Sequence, residues 1–138
     1  MEVNKVFLVD DDEIFRTAAE ILIKSEGLTR TIEQYKNGLD AYNKLLELAG
    51  KINELPDIIL LDINMPLMNG WEFLEELRMA PDLINDQVHI YILTSSIAPD
   101  DLNLSKEYGF IRGYITKPLT KADVNKMAIS VSNPSRQI

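Results

Sequence analysis

Four acids run together as Asp10-Asp11-Asp12-Glu13, directly behind the apolar Val6-Phe7-Leu8-Val9. Like charges repel, so such a cluster ordinarily lies in solvent. This one stands at the end of a segment built like a buried strand. Another carboxylate, Asp62, follows the apolar Ile58-Ile59-Leu60-Leu61. Thr94 and Ser95 follow Ile90-Tyr91-Ile92-Leu93, and Lys117 follows Gly113-Tyr114-Ile115-Thr116. Carboxylates gathered at one place cannot all stay ionised without a cation. A hard divalent ion with oxygen ligands relieves the repulsion. Mg²⁺ fits best, since one or two carboxylates hold it and water and phosphate complete it. Thr94 and Lys117 then remain for a second anion, and a phosphoryl group is one. A carboxylate can itself accept a phosphoryl group as an aspartyl-phosphate.

These groups meet only if the chain brings the strand ends to one rim. Short apolar runs alternate with helical patterns throughout. Val6–Val9, Thr29–Tyr35, Asp57–Leu61, His89–Leu93 and Gly113–Thr116 are expected strands. Between them, Glu13–Ser25 puts Ile14, Ala18, Ile21 and Leu22 at helix spacing, with Gly27 as its stop. Leu39–Ala49 repeats apolar residues at three and four, and Gly50 follows it. Trp71–Met79 is a helix with Phe73, Leu74 and Leu77 inward. Pro99 opens another, with Asp100 and Asp101 in its first turn. Thr120 caps a last one that carries Val124, Met127, Ala128 and Val131. Such alternation implies a parallel sheet covered by helices on both faces, with right-handed crossovers. Sites in open α/β sheets lie at the carboxyl ends of the strands. Asp10, Asp11, Asp62, Thr94, Ser95 and Lys117 all fall there.

The chain has 138 residues, 46% of them hydrophobic, which suits one domain with one core. The domain is expected over residues 3–132, with 133–138 as a tail. Cysteine is absent, so neither disulfides nor thiolate metal sites arise. The net charge of −8 repels nucleic acid and anionic lipid. The first residues lack a signal-peptide pattern, and no apolar run is long enough for a bilayer. A cytoplasmic protein is expected, with no nucleic-acid or membrane partner.

Four stretches, "VFLVDDDEIFR", "PDIILLDINMPLMNGWEFL", "HIYILTSS" and "GYITKPL", span almost the whole chain. In this order they resemble the receiver domain of two-component response regulators, the chemotaxis-regulator-like single-domain family. The resemblance implies an α/β, flavodoxin-like, doubly wound five-stranded parallel sheet of order 2-1-3-4-5. It implies that Asp62 takes a phosphoryl group from a sensor histidine kinase or phosphotransfer protein. Asp11 then ligates Mg²⁺ directly, Asp10 assists through water, and Asn64 offers its backbone carbonyl. Thr94 bonds the phosphoryl oxygen, Lys117 pairs with it, and Tyr114 is the switch aromatic. Ser95 stands where a small apolar residue is usual. Ser96 and Asn64 occupy positions that tune dephosphorylation. The Lys117-Pro118 bond is often cis in the family.

Two features depart from the family. Gly109 lies five residues before Tyr114, where the family's glycine lies four before, so "EYGFIRGY" is rebuilt on the face that carries output. The connections 50–56 and 81–87 are long, resembling the single-domain receivers associated with phytochrome-type kinases, some of which are homodimers. The expected function is a stand-alone phosphorylation switch with an unknown downstream target and at most slow self-dephosphorylation. A haloacid-dehalogenase-type phosphohydrolase also uses aspartyl-phosphate, but its nucleophile follows the first strand. A receiver that takes no phosphate, and a flavin or nucleotide binder, rank lower. The only histidine, His89, is expected to be structural. The methionines and Trp71 are expected to be packing residues.

Overall fold

The computed structural model describes residues 3–84, 87–95, 103 and 107–132. Among them the chain runs β1 (Val6–Val9), α1 (Glu13–Ser25), β2 (Ile32–Tyr35), α2 (Gly38–Glu47), β3 (Ile58–Asp62), α3 (Gly70–Met79), β4 (His89–Thr94), β5 (Ile111–Thr116) and α4 (Lys121–Ser132). The expected helix from Pro99, with Asp100 and Asp101, lies outside the described residues, as does Ser96. Single 3₁₀ turns occupy the two long connections, at Ile52–Glu54 and Pro81–Leu83.

The strands form one parallel sheet in the order β2-β1-β3-β4-β5. This is the doubly wound order expected. Alternation along each strand divides the core in two. Val6 and Leu8 of β1, with Ile58 and Leu60 of β3, face the layer under α1 and α4. Phe7, Val9, Ile59 and Leu61 face the layer under α2 and α3. That is why β1 and β3 are continuously apolar, since both faces of each are covered. All four side chains of β1 are fully buried, and each contributes about 1.5–3 kcal/mol. This burial fixes β1 firmly enough to carry Asp10, the next residue, at 0% exposure.

Helix α1 turns differently from the expected face. Ala19 and Ile23 are buried, with Phe15 and Leu22 half-buried against the core. Ile14 is 82% exposed and Ile21 65%, and Ala18 is exposed beside them. The helix carries two apolar stripes, and spacing alone does not choose between them. The rotation is set by its ends. Asp12 caps it by accepting from the Ile14 and Phe15 amides at 3.0 and 3.2 Å. Arg16 donates to the Asp10 carbonyl at 2.6 Å and to Gln34 at 3.0 Å, which draws that side toward the sheet.

Strand β5 begins at Ile111, two residues before the expected start. Ile90 pairs with Ile111, but Tyr91 pairs with Gly113, so Arg112 is an extra residue in the edge strand. This bulge lies within "EYGFIRGY", the segment expected to be rebuilt. Tyr114 consequently returns to register opposite Ile92, and Thr116 opposite Thr94. Met65 and Met127 are core residues, whereas Met79 is 73% exposed and does not pack as expected. It lies in the last position of α3, beyond the buried Leu77.

Candidate functional site at the carboxyl ends of the strands

Asp10 follows β1, Asp62 ends β3, Thr94 ends β4 and Lys117 follows β5. A parallel sheet puts all four on one rim. Oxygens of Asp10, Asp11 and Asp62 lie within 4.8 Å of one another. Asp10 and Asp62 are buried and Asp11 is exposed. Lys117 Nζ stands 2.6 Å from Asp10 Oδ2 and 3.6 Å from Asp62 Oδ1. It also lies over the Phe15 ring, 4.8 Å from the centroid, a contact that favours a cation. The other oxygen of Asp10 accepts the Asp12 amide at 2.9 Å.

Burial, and after it the Asp10 charge, pushes the Asp62 carboxyl up to about 6. Lys117 and the Asn64 backbone N–H act in the opposite direction, and Asp11 adds to the rise. Burial disfavours the Lys117 ammonium, but Asp10 and Asp62 outweigh it, so its pKa lies above the ordinary lysine value. Three formal negative charges thus face one ammonium in an all-oxygen set. That deficit and those donors fit a hard divalent cation.

Thr94 is half-buried, and its carbonyl accepts the Lys117 amide at 2.8 Å, tying the turn after β5 to the end of β4. The Lys117-Pro118 bond in that turn is cis. Ser95 is exposed next to Thr94. Tyr114 is half-buried and packs on the α2–α3 side of the sheet, two residues before the site end of β5. Asn64 is exposed in the turn after Asp62. That turn ends where the Gly70 amide donates to Ile63 at 2.8 Å. Asn69 and Glu72 then close a reciprocal cap on α3. Arg16 and Phe15 adjoin the acids without having been anticipated. An arginine one helical turn past an acid run was the available signal. His89 sits at the opposite end of β4, 3% exposed, with Nδ1 3.3 Å from Ser130 Oγ.

Among the described residues no helix is long and apolar enough to cross a membrane. Residues 6–129 match the response regulator receiver domain family. A two-component response regulator from Cytophaga hutchinsonii superposes with a TM-score of 0.87 at 29% identity, covering 96% of this chain and 99% of that one. Response regulator Rcp1 of Synechocystis is 28% identical over 129 residues, 93% of this chain and 86% of Rcp1. The Mn²⁺-bound form of Rcp1 aligns with a TM-score of 0.68 at 27% identity, over 94% of this chain and 92% of that one. A protein-glutamate methylesterase/protein-glutamine glutaminase of Treponema denticola is 31% identical over 94% of this chain, which spans only 32% of that protein. Sheet order, acidic rim and sequence match agree: the chain belongs to the response regulator receiver domain family, whose members are phosphoacceptors of two-component signalling.

Proposed function

We propose that Asp62 is the phosphoacceptor, that its donor is a phosphohistidine on a sensor histidine kinase or phosphotransfer protein, and that the chain acts as a stand-alone switch. The observation that carries this reading is the set of three carboxylates within 4.8 Å beside one ammonium. Asp11 and Asp62 hold Mg²⁺ in this reading, with Asp10 acting through water and the Asn64 carbonyl completing the protein ligands. When bound, Mg²⁺ neutralises charge on the transferring phosphoryl group. A carboxylate oxygen of Asp62 forms its bond to phosphorus as the bond from phosphorus to the donor imidazole breaks. Asp62 must therefore be ionised, and with a carboxyl near 6 it is largely so at neutral pH.

Lys117 and the Thr94 hydroxyl are the groups assigned to the new anion. Tyr114 and Thr94 are the switch pair, and Ser95 and Ser96 are secondary. Asp10 is less suited as a nucleophile, because it is fully buried and both oxygens are engaged. This weighs against the dehalogenase-type alternative.

The exposed stripe of α1 supports a protein donor. Ile14, Thr17, Ala18 and Ile21, with Glu13 at one end, line one mostly apolar surface, and Asp11 and Asp12 directly precede it in the chain. Scattered exposed apolar residues are ordinary, but a contiguous strip at the mouth of a site marks a partner surface. A donor helix laid on this strip fits a histidine that must reach Asp62.

The test is intact mass after incubation with Mg²⁺ and acetyl phosphate. One added phosphoryl group on the wild type and none on Asp62→Asn is expected. Addition to both proteins sinks the assignment of Asp62.

A further inference from the structure

The loop that follows Asp62 contains a strained residue. Among the described residues Leu67 is the only non-glycine residue at positive φ, +67°. The Met68 amide donates to the Pro66 carbonyl at 2.7 Å. A three-residue turn closed in this way is a γ-turn, and positive φ at its middle residue is the rare, strained hand. A Cβ makes that backbone costly. Leu67 is 75% exposed, so burial of its own side chain does not offset the strain.

What holds the turn lies on either side of it. Ile63 and Met65 are buried in the core layer under α2 and α3, and Met68 packs against that layer. The Met68 carbonyl accepts the Gly38 amide at 3.0 Å. Gly38 is the first residue of α2, so this bond satisfies one of the amides that a helix leaves open at its start. A Cβ on Gly38 would meet the Met68 carbonyl oxygen at 2.5 Å. Only a glycine lets α2 approach the loop so closely. The Gly70 amide then returns to the Ile63 carbonyl at 2.8 Å and closes the loop. Strained backbone persists where its surroundings over-determine it, and it concentrates at functional sites.

Asn64 stands inside this closed loop. It is exposed, yet its N–H donates to the Asp62 carboxylate. Its side chain is not buried, so the backbone of the loop decides where its peptide groups lie. The turn at Leu67 reverses the chain three residues later, which lets Gly70 reach Ile63. A wider turn would draw Ile63 and Gly70 apart and shift the Asn64 peptide from Asp62.

We propose that the strained turn at Leu67, latched to α2 through Gly38, is a positioning device that holds the Asn64 peptide against Asp62 and so sets the rate of phosphoryl uptake. This role presupposes Asp62 as the acceptor. Leu67 acts through its backbone, and Gly38 acts through Met68. With acetyl phosphate as donor, an Asp62 oxygen bonds phosphorus as the bond from phosphorus to the acetyl oxygen breaks, and acetate leaves.

The test compares an isomer with turn formers at position 67. Leu67→Ile keeps size and composition at an exposed site, but a β-branched residue tolerates positive φ far less. Leu67→Gly and Leu67→Asn accept it readily. Labelling by acetyl phosphate with Mg²⁺ is followed by intact mass, well below the melting temperature. Leu67→Ile should label about tenfold more slowly than the wild type, as expected for a misplaced reacting group. Leu67→Gly and Leu67→Asn should stay within about twofold of it. Gly38→Ala, across the latch, should slow labelling as Leu67→Ile does; if it does not fold, the series at position 67 decides. Mg²⁺ affinity, read by titration calorimetry, should follow the same order and be weakest in Leu67→Ile. A role in stability alone would leave labelling of the folded variants unchanged. Wild-type labelling by Leu67→Ile, or equal slowing by all three substitutions at position 67, would overturn the proposal. If the wild type itself takes no phosphoryl group, the reading of Asp62 fails and the Mg²⁺ order decides the turn: kept, it upholds the latch, and lost, it overturns it.

Discussion

Lys117 Nζ lies 3.6 Å from Asp62 Oδ1, close enough for strong attraction but outside a good hydrogen bond. Its shorter contact, 2.6 Å, is with Asp10. The ammonium is thus parked on the neighbouring acid, and Asp62 keeps room for an added group. It also competes with a metal for the same negative charge. Lys117→Met should therefore bind Mg²⁺ more tightly than the wild type, by about tenfold or 1.4 kcal/mol, as read by isothermal titration calorimetry. Weaker binding in the variant would mean that Lys117 organises the carboxylates rather than competing for them.

Asp62 gives a pH-dependent stability. Its carboxyl lies at about 6 in the fold, raised by burial and then by Asp10, against about 3.9 in an unfolded chain. The folded state therefore holds a proton that the unfolded state releases. In metal-free buffer, stability from this group is fully present below about pH 4 and is lost as pH rises through 6. The loss approaches about 2–3 kcal/mol at neutral pH. Asp62→Asn should melt higher than the wild type at pH 7.5 without Mg²⁺, and the gap should close toward pH 4. Saturating Mg²⁺ should narrow it as well, because the ion stabilises the ionised site by binding only the folded state. A constant gap across pH would exclude repulsion at Asp62 as its cause.

Much of this was legible because it obeys period and position. Val6–Val9 and Ile58–Leu61 are apolar on both faces, which announces central strands, and the polar residue after each one falls on the functional rim. Asp10, Asp11, Asp62 and Lys117 could therefore be placed together from strand ends alone. The rotation of α1 could not. Its two apolar stripes have equal spacing, and the choice rests on Arg16 reaching Gln34 and the Asp10 carbonyl across the chain. The bulge at Arg112 lies in a segment that showed only one residue too many. An extra residue fits equally in a loop or in a strand, and only pairing with β4 decides. The Tyr108–Glu75 contact joins residues 33 apart in sequence, so no local pattern carries it.

Gly70 is fixed by closeness rather than by conformation. A Cβ there would meet the Asp62 carbonyl oxygen at 2.6 Å and the Ile63 Cα at 2.8 Å, both backbone atoms with little freedom to yield. Gly70→Ala should therefore push the end of β3 and move Asp62. A loss of about 1–3 kcal/mol in chemical denaturation is expected, in the range for overpacking. The rate of acetyl phosphate labelling should fall as well. Gly50→Ala is the comparison: no atom lies within 4 Å of its Cβ, but its φ of +83° still imposes backbone strain. It should cost about 1–2 kcal/mol and leave labelling unchanged. Equal labelling by the two variants would detach Gly70 from the acceptor.

The exposed stripe of α1 separates chemistry from recognition. Ile14 and Ile21 contribute nothing to the core, being 82% and 65% exposed, so Ile14→Asp/Ile21→Asp should fold with wild-type stability to within about 0.5 kcal/mol. Labelling by acetyl phosphate, which needs only the acidic rim and Mg²⁺, should be unchanged. Transfer from a phosphorylated kinase or phosphotransfer protein should slow by about tenfold or more, because an aspartate placed in an apolar contact is desolvated without a partner. The measurement is a competition in which both phosphodonors are offered to wild type and variant. Slowing with the protein donor alone assigns the stripe to docking. Slowing with both donors would show that the substitutions reach the site through Asp11 and Asp12, at the start of the same helix.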